Sequence, residues 1–310
     1  MNKWKKVGLT ALSASLVSAT AYAGALDVSG AASITYHSSD DAAAGNAYSH
    51  NKDISFSGGG DLDNGMTVSV YYELDQGNNV FDDYNLKLGM GDMGTLSFSG
   101  NSSSGSGVDK LKDIVPNAYT PVYEATDATD SGLIDASGNN QAGQWGYDVT
   151  LGSLDLSASY NPKPGSHKKA ETGYAVVYSG LMDGLELSAG MFDDGDEAEN
   201  ETYGIKYTMG NVVAAYQVTK VDYESTSNTD EDASHYGISI AVNENLSVSG
   251  GRQEVEFDGA ADDEVNTGVG GSYTMGSISM KYGLNSMSSK GGSATAEDID
   301  ASIFSVSFAF

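Results

Sequence analysis

From Thr67 to Asp75 the chain reads TVSVYYELD. Val68, Val70, Tyr72 and Leu74 fall on one face of an extended segment. Ser69, Tyr71, Glu73 and Asp75 fall on the other. An apolar/polar alternation of period two is the signature of a strand with one apolar and one polar side. The pattern recurs along the chain. Leu154, Leu156, Ala158 and Tyr160 alternate with Asp155, Ser157 and Ser159, and Ile278, Met280, Tyr282 and Leu284 with Ser279, Lys281 and Gly283. No stretch shows a helical period of comparable length.

Working outward from these segments gives sixteen strands, near 25–37, 52–61, 66–75, 83–91, 95–101, 144–151, 154–161, 171–180, 185–192, 201–209, 212–222, 234–242, 246–257, 264–274, 277–287 and 298–310. Seven connections are tight, among them Asp63-Asn64-Gly65, Met182-Asp183-Gly184 and Gly210-Asn211. Their Asn-Gly and Asp-X-Gly chemistry suits hairpins. The other eight are longer and polar. Short turns on one side and long loops on the other are the asymmetry of an all-β transmembrane antiparallel barrel. A soluble sandwich is the competing fold, but its connections need not alternate in kind. One irregularity is expected at Gly250-Gly251. There the parity set by Leu246 and Val248 passes to Val255 and Phe257 through a β-bulge, leaving Arg252, Glu254 and Glu256 inward.

The composition agrees with a barrel. Asp and Glu number 43 against 15 Lys and Arg, cysteine is absent, and the formal charge is −28. The basic footprint of a nucleic-acid binder is missing. Few aliphatic residues with so large a charge would ordinarily mean disorder. A wide barrel escapes that rule, because only its outer row must be apolar. No stretch after the N-terminus has the apolar length of a membrane helix, so membrane insertion requires a closed barrel. Lys3, Lys5 and Lys6, the weakly apolar 7–20 and Ala21-Tyr22-Ala23 read as a cleaved signal peptide over 1–23. The domain is then 24–310, more acidic still.

Phe304-Ser-Val-Ser-Phe-Ala-Phe310 ends the chain with alternating aromatics. This resembles the final-strand signal read by the barrel assembly machinery, with Phe308 and Phe310 as its anchors. The whole mature chain is similar to Gram-negative general diffusion porins of the short-chain, alphaproteobacterial type. The resemblance implies an outer-membrane homotrimer, contacts with outer-membrane lipid and lipopolysaccharide, and passive diffusion of small hydrophilic solutes. It also implies a long third loop folded into each barrel. That loop is 102–143, far beyond ordinary loop length. It offers a short helical segment at Val108–Val115, stopped by Pro116, and apolar Tyr119, Pro121, Val122 and Tyr123 to pack on the wall. The arginine cluster of better-known porins has no counterpart, since Arg252 is the only arginine.

Site residues follow from parity. Glu73, Asp75, Asp148, Asp155, Glu186, Glu254 and Glu256 are expected in the lumen with Lys87, Lys206, Arg252 and Lys281. The loop adds Asp109, Asp113, Glu124, Asp127, Asp130 and Asp135 against Lys110 and Lys112. The acidic excess predicts a cation-preferring pore. A substrate-specific channel and a non-conducting structural or adhesive barrel remain the alternatives. No enzyme is expected: His37, His50, His167 and His235 lie outside any catalytic motif and read as solvated loop histidines. No cofactor is expected. Asp193–Glu197, Asp230–Asp232 and Asp262–Glu264 could bind Ca²⁺ weakly. Gly30 and Ala32, small on an apolar outer row, suit close contact with a second barrel.

Overall fold

The computed structural model describes residues 26–40, 46–74, 83–100, 105–126, 143–162, 169–195, 198–224 and 229–310. The signal peptide, Asp75, Asp127, Asp130, Asp135 and His167 lie outside them. Sixteen strands form one closed antiparallel sheet in which each pairs with its sequence neighbours and the first pairs with the last. They are β1 (Asp27–Ser39), β2 (Tyr48–Asp61), β3 (Thr67–Leu74), β4 (Tyr84–Gly89), β5 (Thr95–Gly100), β6 (Gln144–Leu151), β7 (Leu154–Asn161) and β8 (Glu171–Tyr178). The circuit continues with β9 (Leu185–Asp193), β10 (Ala198–Met209), β11 (Val212–Tyr223), β12 (Glu231–Ala241), β13 (Leu246–Phe257), β14 (Glu264–Met275), β15 (Ile278–Ser288) and β16 (Ile299–Ala309). Closure leaves the sheet without edges, the condition for placing strands in lipid. The tight turns fit their sequences. Gly210, at φ +60°, takes the left-handed conformation that the two-residue link between β10 and β11 requires.

The alternation read from sequence is the alternation across the wall. Tyr72, Tyr160, Tyr174, Ile205 and Tyr282 are exposed on the outer face. At the seam, Gly30 and Phe310 exchange backbone hydrogen bonds of 2.8 and 2.9 Å. A Cβ on Gly30 would stand 2.5 Å from the Phe310 ring. The smallness of Gly30 is therefore demanded within the chain, by the Phe310 ring.

The expected bulge is absent. β13 keeps one unbroken register with β12, from Glu231↔Phe257 to Ala241↔Ser247, and one with β14. Even-numbered residues of β13 face outward throughout. Arg252 pairs in register with the exposed Tyr236, and Val255 with the buried Ala233. Arg252, Glu254 and Glu256 therefore lie on the outer wall, where Arg252 bonds Glu254 at 2.9 Å. The inference failed because apolar was equated with outward. In the half of β10–β13 nearest the long connections the polarity of the wall inverts. Glu201, Lys220, Asp232 and Glu254 point out, while Val221, Ala233 and Val255 point in and are buried. A wall that rises out of lipid into water no longer needs an apolar outer row.

Strands also take residues assigned to loops. Glu231 and Glu264 face inward on β12 and β14, and Asp232 faces outward to Lys220 at 2.7 Å. The connection between β9 and β10 shrinks to four residues, 194–197, shorter than the turn between β8 and β9. Among the described residues no group of three His, Cys, Asp or Glu is placed to hold a metal.

Candidate functional site

Two of the most deeply buried apolar side chains, Val108 and Leu111, lie inside the barrel between the long loop and the wall. A 3-10 turn, Gly107–Leu111, opens the described part of the loop; the chain then extends to Thr126 along the inner surface. The helical segment expected over 108–115 is shorter than its sequence suggested. Val108 and Leu111 are fully buried, and Ile114 and Val115 pack with Ala175 of β8 and Ala215 of β11.

The seat of the loop is a track of inward glycines. A Cβ on Gly146 of β6 would lie 2.4 Å from the Ser106 hydroxyl. On Gly190 of β9 it would meet Leu111 at 2.7 Å, and on Gly204 of β10 Ile114 at 2.8 Å. Gly237 of β12 meets Val115 at 2.9 Å, and Gly251 and Gly268 meet Val122 at 3.3 and 3.2 Å. Strands β6, β9, β10, β12, β13 and β14 each drop a side chain where the loop passes, so loop and wall come into van der Waals contact. A period-two reading of hydropathy passes over these glycines. Their signal was visible: they occupy the polar-row parity inside strands, where a turn residue has no reason to be.

Polar contacts fix the loop along its path. Gly107 N–H donates to Ser157 Oγ at 2.7 Å, and Ser106 and Ser157 both donate to Asp148 at 2.6 Å. Gln217 donates to the Leu111 carbonyl at 3.1 Å, and Ala118 N–H donates to Ser249 Oγ at 2.7 Å. Asn285 donates to the Val122 carbonyl at 2.5 Å, and His37 Nε2 donates to the Ala125 carbonyl at 2.6 Å. His235 stacks edge-on against Tyr123, with centroids 5.9 Å apart. His37 and His235 are thus not solvated loop histidines, and the sequence carried no signal for this role. His50 faces outward on β2, opposite Ile34.

The charged residues named from sequence divide three ways. Lys112 pairs with buried Asp109 at 2.8 Å, Lys110 with Asp148 at 3.4 Å, and Lys206 with Glu186 at 2.6 Å, all inside the barrel. Glu73 faces inward, accepting from Tyr71 and from Ser55. Lys87 and Asp155 hold inward positions on β4 and β7. Lys281 Nζ lies 5.6 Å from the Tyr119 ring centroid. Asp113 and Glu124 lie on the loop in contact with solvent. Protein beside Glu124 nevertheless pushes its carboxyl above the ordinary carboxylate range by desolvation. Arg252 and Glu254 are the exceptions, outside the wall. Phe308 and Phe310 lie exposed at the seam.

Residues 8–309 match the family model of Gram-negative porins. The chain belongs to the Gram-negative porin family. Solved porins share its architecture at low identity. One, refined at 1.8 Å resolution, superposes with a TM-score of 0.71 at 17% identity, covering 92% of this chain and all of that one. An anion-selective porin from Comamonas acidovorans gives 0.68 at 15% identity, over 92% of this chain and 99% of that one. A variant of the Rh. blastica porin gives 0.66 at 16% identity, over 92% and 100%. No curated protein sequence matches the chain. This porin resides in the outer membrane, where its barrel is a diffusion channel.

Proposed function

We propose that this porin passes small hydrophilic solutes and ions passively, with preference for cations, through a lumen narrowed by residues 105–126. The supporting observation is the sign of the inward surface. Asp53, Glu73, Asp148, Asp155 and Glu186 occupy inward positions of the wall, and Asp113 and Glu124 lie on the loop, against Lys87, Lys206 and Lys281. Setting aside the pairs Lys110–Asp148, Lys112–Asp109 and Lys206–Glu186 leaves Asp53, Glu73, Asp155, Asp113 and Glu124 against Lys87 and Lys281, so the acidic sign survives. Moving Arg252, Glu254 and Glu256 outside takes two acids and one base from the lumen, which leaves its sign unchanged. A loop-narrowed pore holds an ion within about one Debye length, ~8 Å at physiological salt, of these carboxylates. Selectivity belongs to such side chains and not to the fold, since a barrel of the same architecture is anion-selective.

The test is the zero-current potential of the reconstituted protein under a KCl gradient. The sign for K⁺ over Cl⁻ is expected; the opposite sign would refute the preference. The same reading assigns a homotrimer, with Phe308 and Phe310 as the assembly signal. Cold native gels of the wild type should show a species of three chains that heating dissociates.

A further inference from the structure

The described part of the loop is seated on the wall from β6 round to β1, where His37 holds the Ala125 carbonyl. Beyond β1, Ser57 of β2 and Ser69 of β3 are inward and exposed. Tyr71 of β3 stands in register with Ser57. Period two puts Glu73 on the same inward row, opposite Ser55. The patch is polar throughout, with Asn85 beside Tyr71 and Lys87 beside Ser69 on β4.

Two hydroxyls orient the Glu73 carboxylate. Tyr71 and Ser55 both donate to its Oε2, and Ser55 Oγ lies 3.2 Å from Tyr71 Oη. An ionised carboxylate has about four lone-pair sites on its two oxygens. Both donors fall on one oxygen, so Oε1 is left for a donor arriving from the lumen. Among the described residues no lysine or arginine pairs with Glu73. Its charge is thus held in place by neutral groups, whereas Asp148 and Glu186 each meet a lysine.

We propose that Ser55, Tyr71 and Glu73 form a subsite in the lumen for a hydroxylated primary amine, of which an amino sugar is the type. An ammonium group carries three donors, and one of them suits Glu73 Oε1 as a charge-assisted hydrogen bond. The hydroxyls of such a solute both give and accept hydrogen bonds, as do those of Ser57 and Ser69 beside it. A metal cation is a poorer occupant, because one carboxylate oxygen replaces little of its hydration shell. A neutral sugar lacks the charge, and a simple alkylammonium lacks the hydroxyls. The subsite rests on the reading of the lumen as an open pore and adds to it a recognised class of solute.

The experiment uses the full folded barrel in planar bilayers bathed in KCl at neutral pH, with glucosamine, N-acetylglucosamine or ethylammonium added. Glucosamine should lower the single-channel current at a half-effect concentration about tenfold below that of N-acetylglucosamine, the value of one charge-assisted contact. Ethylammonium, which keeps the charge and has no hydroxyls, should also be weaker than glucosamine. Glu73→Gln should abolish the advantage of glucosamine over both. Tyr71→Phe keeps the charge but frees the carboxylate to turn, and should cut the advantage about threefold, the share of one neutral hydrogen bond. Both substitutions preserve shape, and cold-gel mobility checks that each variant folds. Equal potency of glucosamine and N-acetylglucosamine, equal potency of glucosamine and ethylammonium, or an undiminished advantage in Glu73→Gln would overturn the proposal. A channel that carries stepwise, K⁺-preferring current and shows any of these loses the subsite and keeps the pore. A folded barrel without current contradicts the pore reading, and the subsite falls with it.

Discussion

Leu111 is fully buried inside the barrel. It can be so because Gly190 has no side chain to occupy the same volume. Removing the leucine leaves a cavity, and Leu111→Ala is expected to cost about 2–5 kcal/mol. Filling the seat instead, with Gly204→Leu, overpacks against Ile114 at about 1–3 kcal/mol. Both costs fall on the loop and not on the ladders of the wall. Limited proteolysis should therefore cut either variant within 105–126 while the folded barrel keeps its cold-gel mobility. Unchanged resistance to protease would show that the loop is held by something other than this seat. Glu124 supplies a second residue-scale prediction. Its carboxyl is raised by desolvation, so it takes up a proton at a higher pH than an ordinary carboxylate as the solution is acidified. Cation preference should begin to fall at that higher pH, and Glu124→Gln should remove this early part of the decline. An identical pH profile in the variant would place Glu124 away from the ion path.

At the scale of elements, the seam between β1 and β16 is where a linear chain becomes a closed wall. Phe310 pairs with Gly30 through two backbone hydrogen bonds and lays its ring over the position where a Cβ would be. Gly30→Trp should displace that ring and slow closure. The expected readout is a smaller fraction of compact, heat-modifiable barrel on cold gels, with Ala32→Val far milder. If Gly30→Trp folds as the wild type does, the ring contact is dispensable. Strands were the most legible part of this molecule. The period-two runs locate all sixteen, because each must put apolar side chains toward lipid. Legibility ended where that force ends. Arg252 and Glu254 were misplaced because β13 rises beyond the lipid, where apolar Val255 turns inward and the charges turn out. The loop's seat went unread for a related reason: a glycine carries no hydropathy, and its meaning lies in what crosses it. His37 and His235 were invisible because their partners on the loop are some ninety to over a hundred residues distant in sequence.

For the whole molecule, an acidic chain with little aliphatic content folds because its apolar residues are spent on a surface facing lipid, while the interior keeps its charges in water. The described part of the long loop lies against the inner wall. The most direct test of the account is single-channel recording of the purified barrel in a planar bilayer bathed in KCl. Insertion should give discrete, stepwise rises in current that vary linearly with small applied voltages, as an open aqueous pore requires. A bilayer that gains correctly folded barrel, shown by its heat-modifiable mobility, and yet carries no stepwise current would contradict the account.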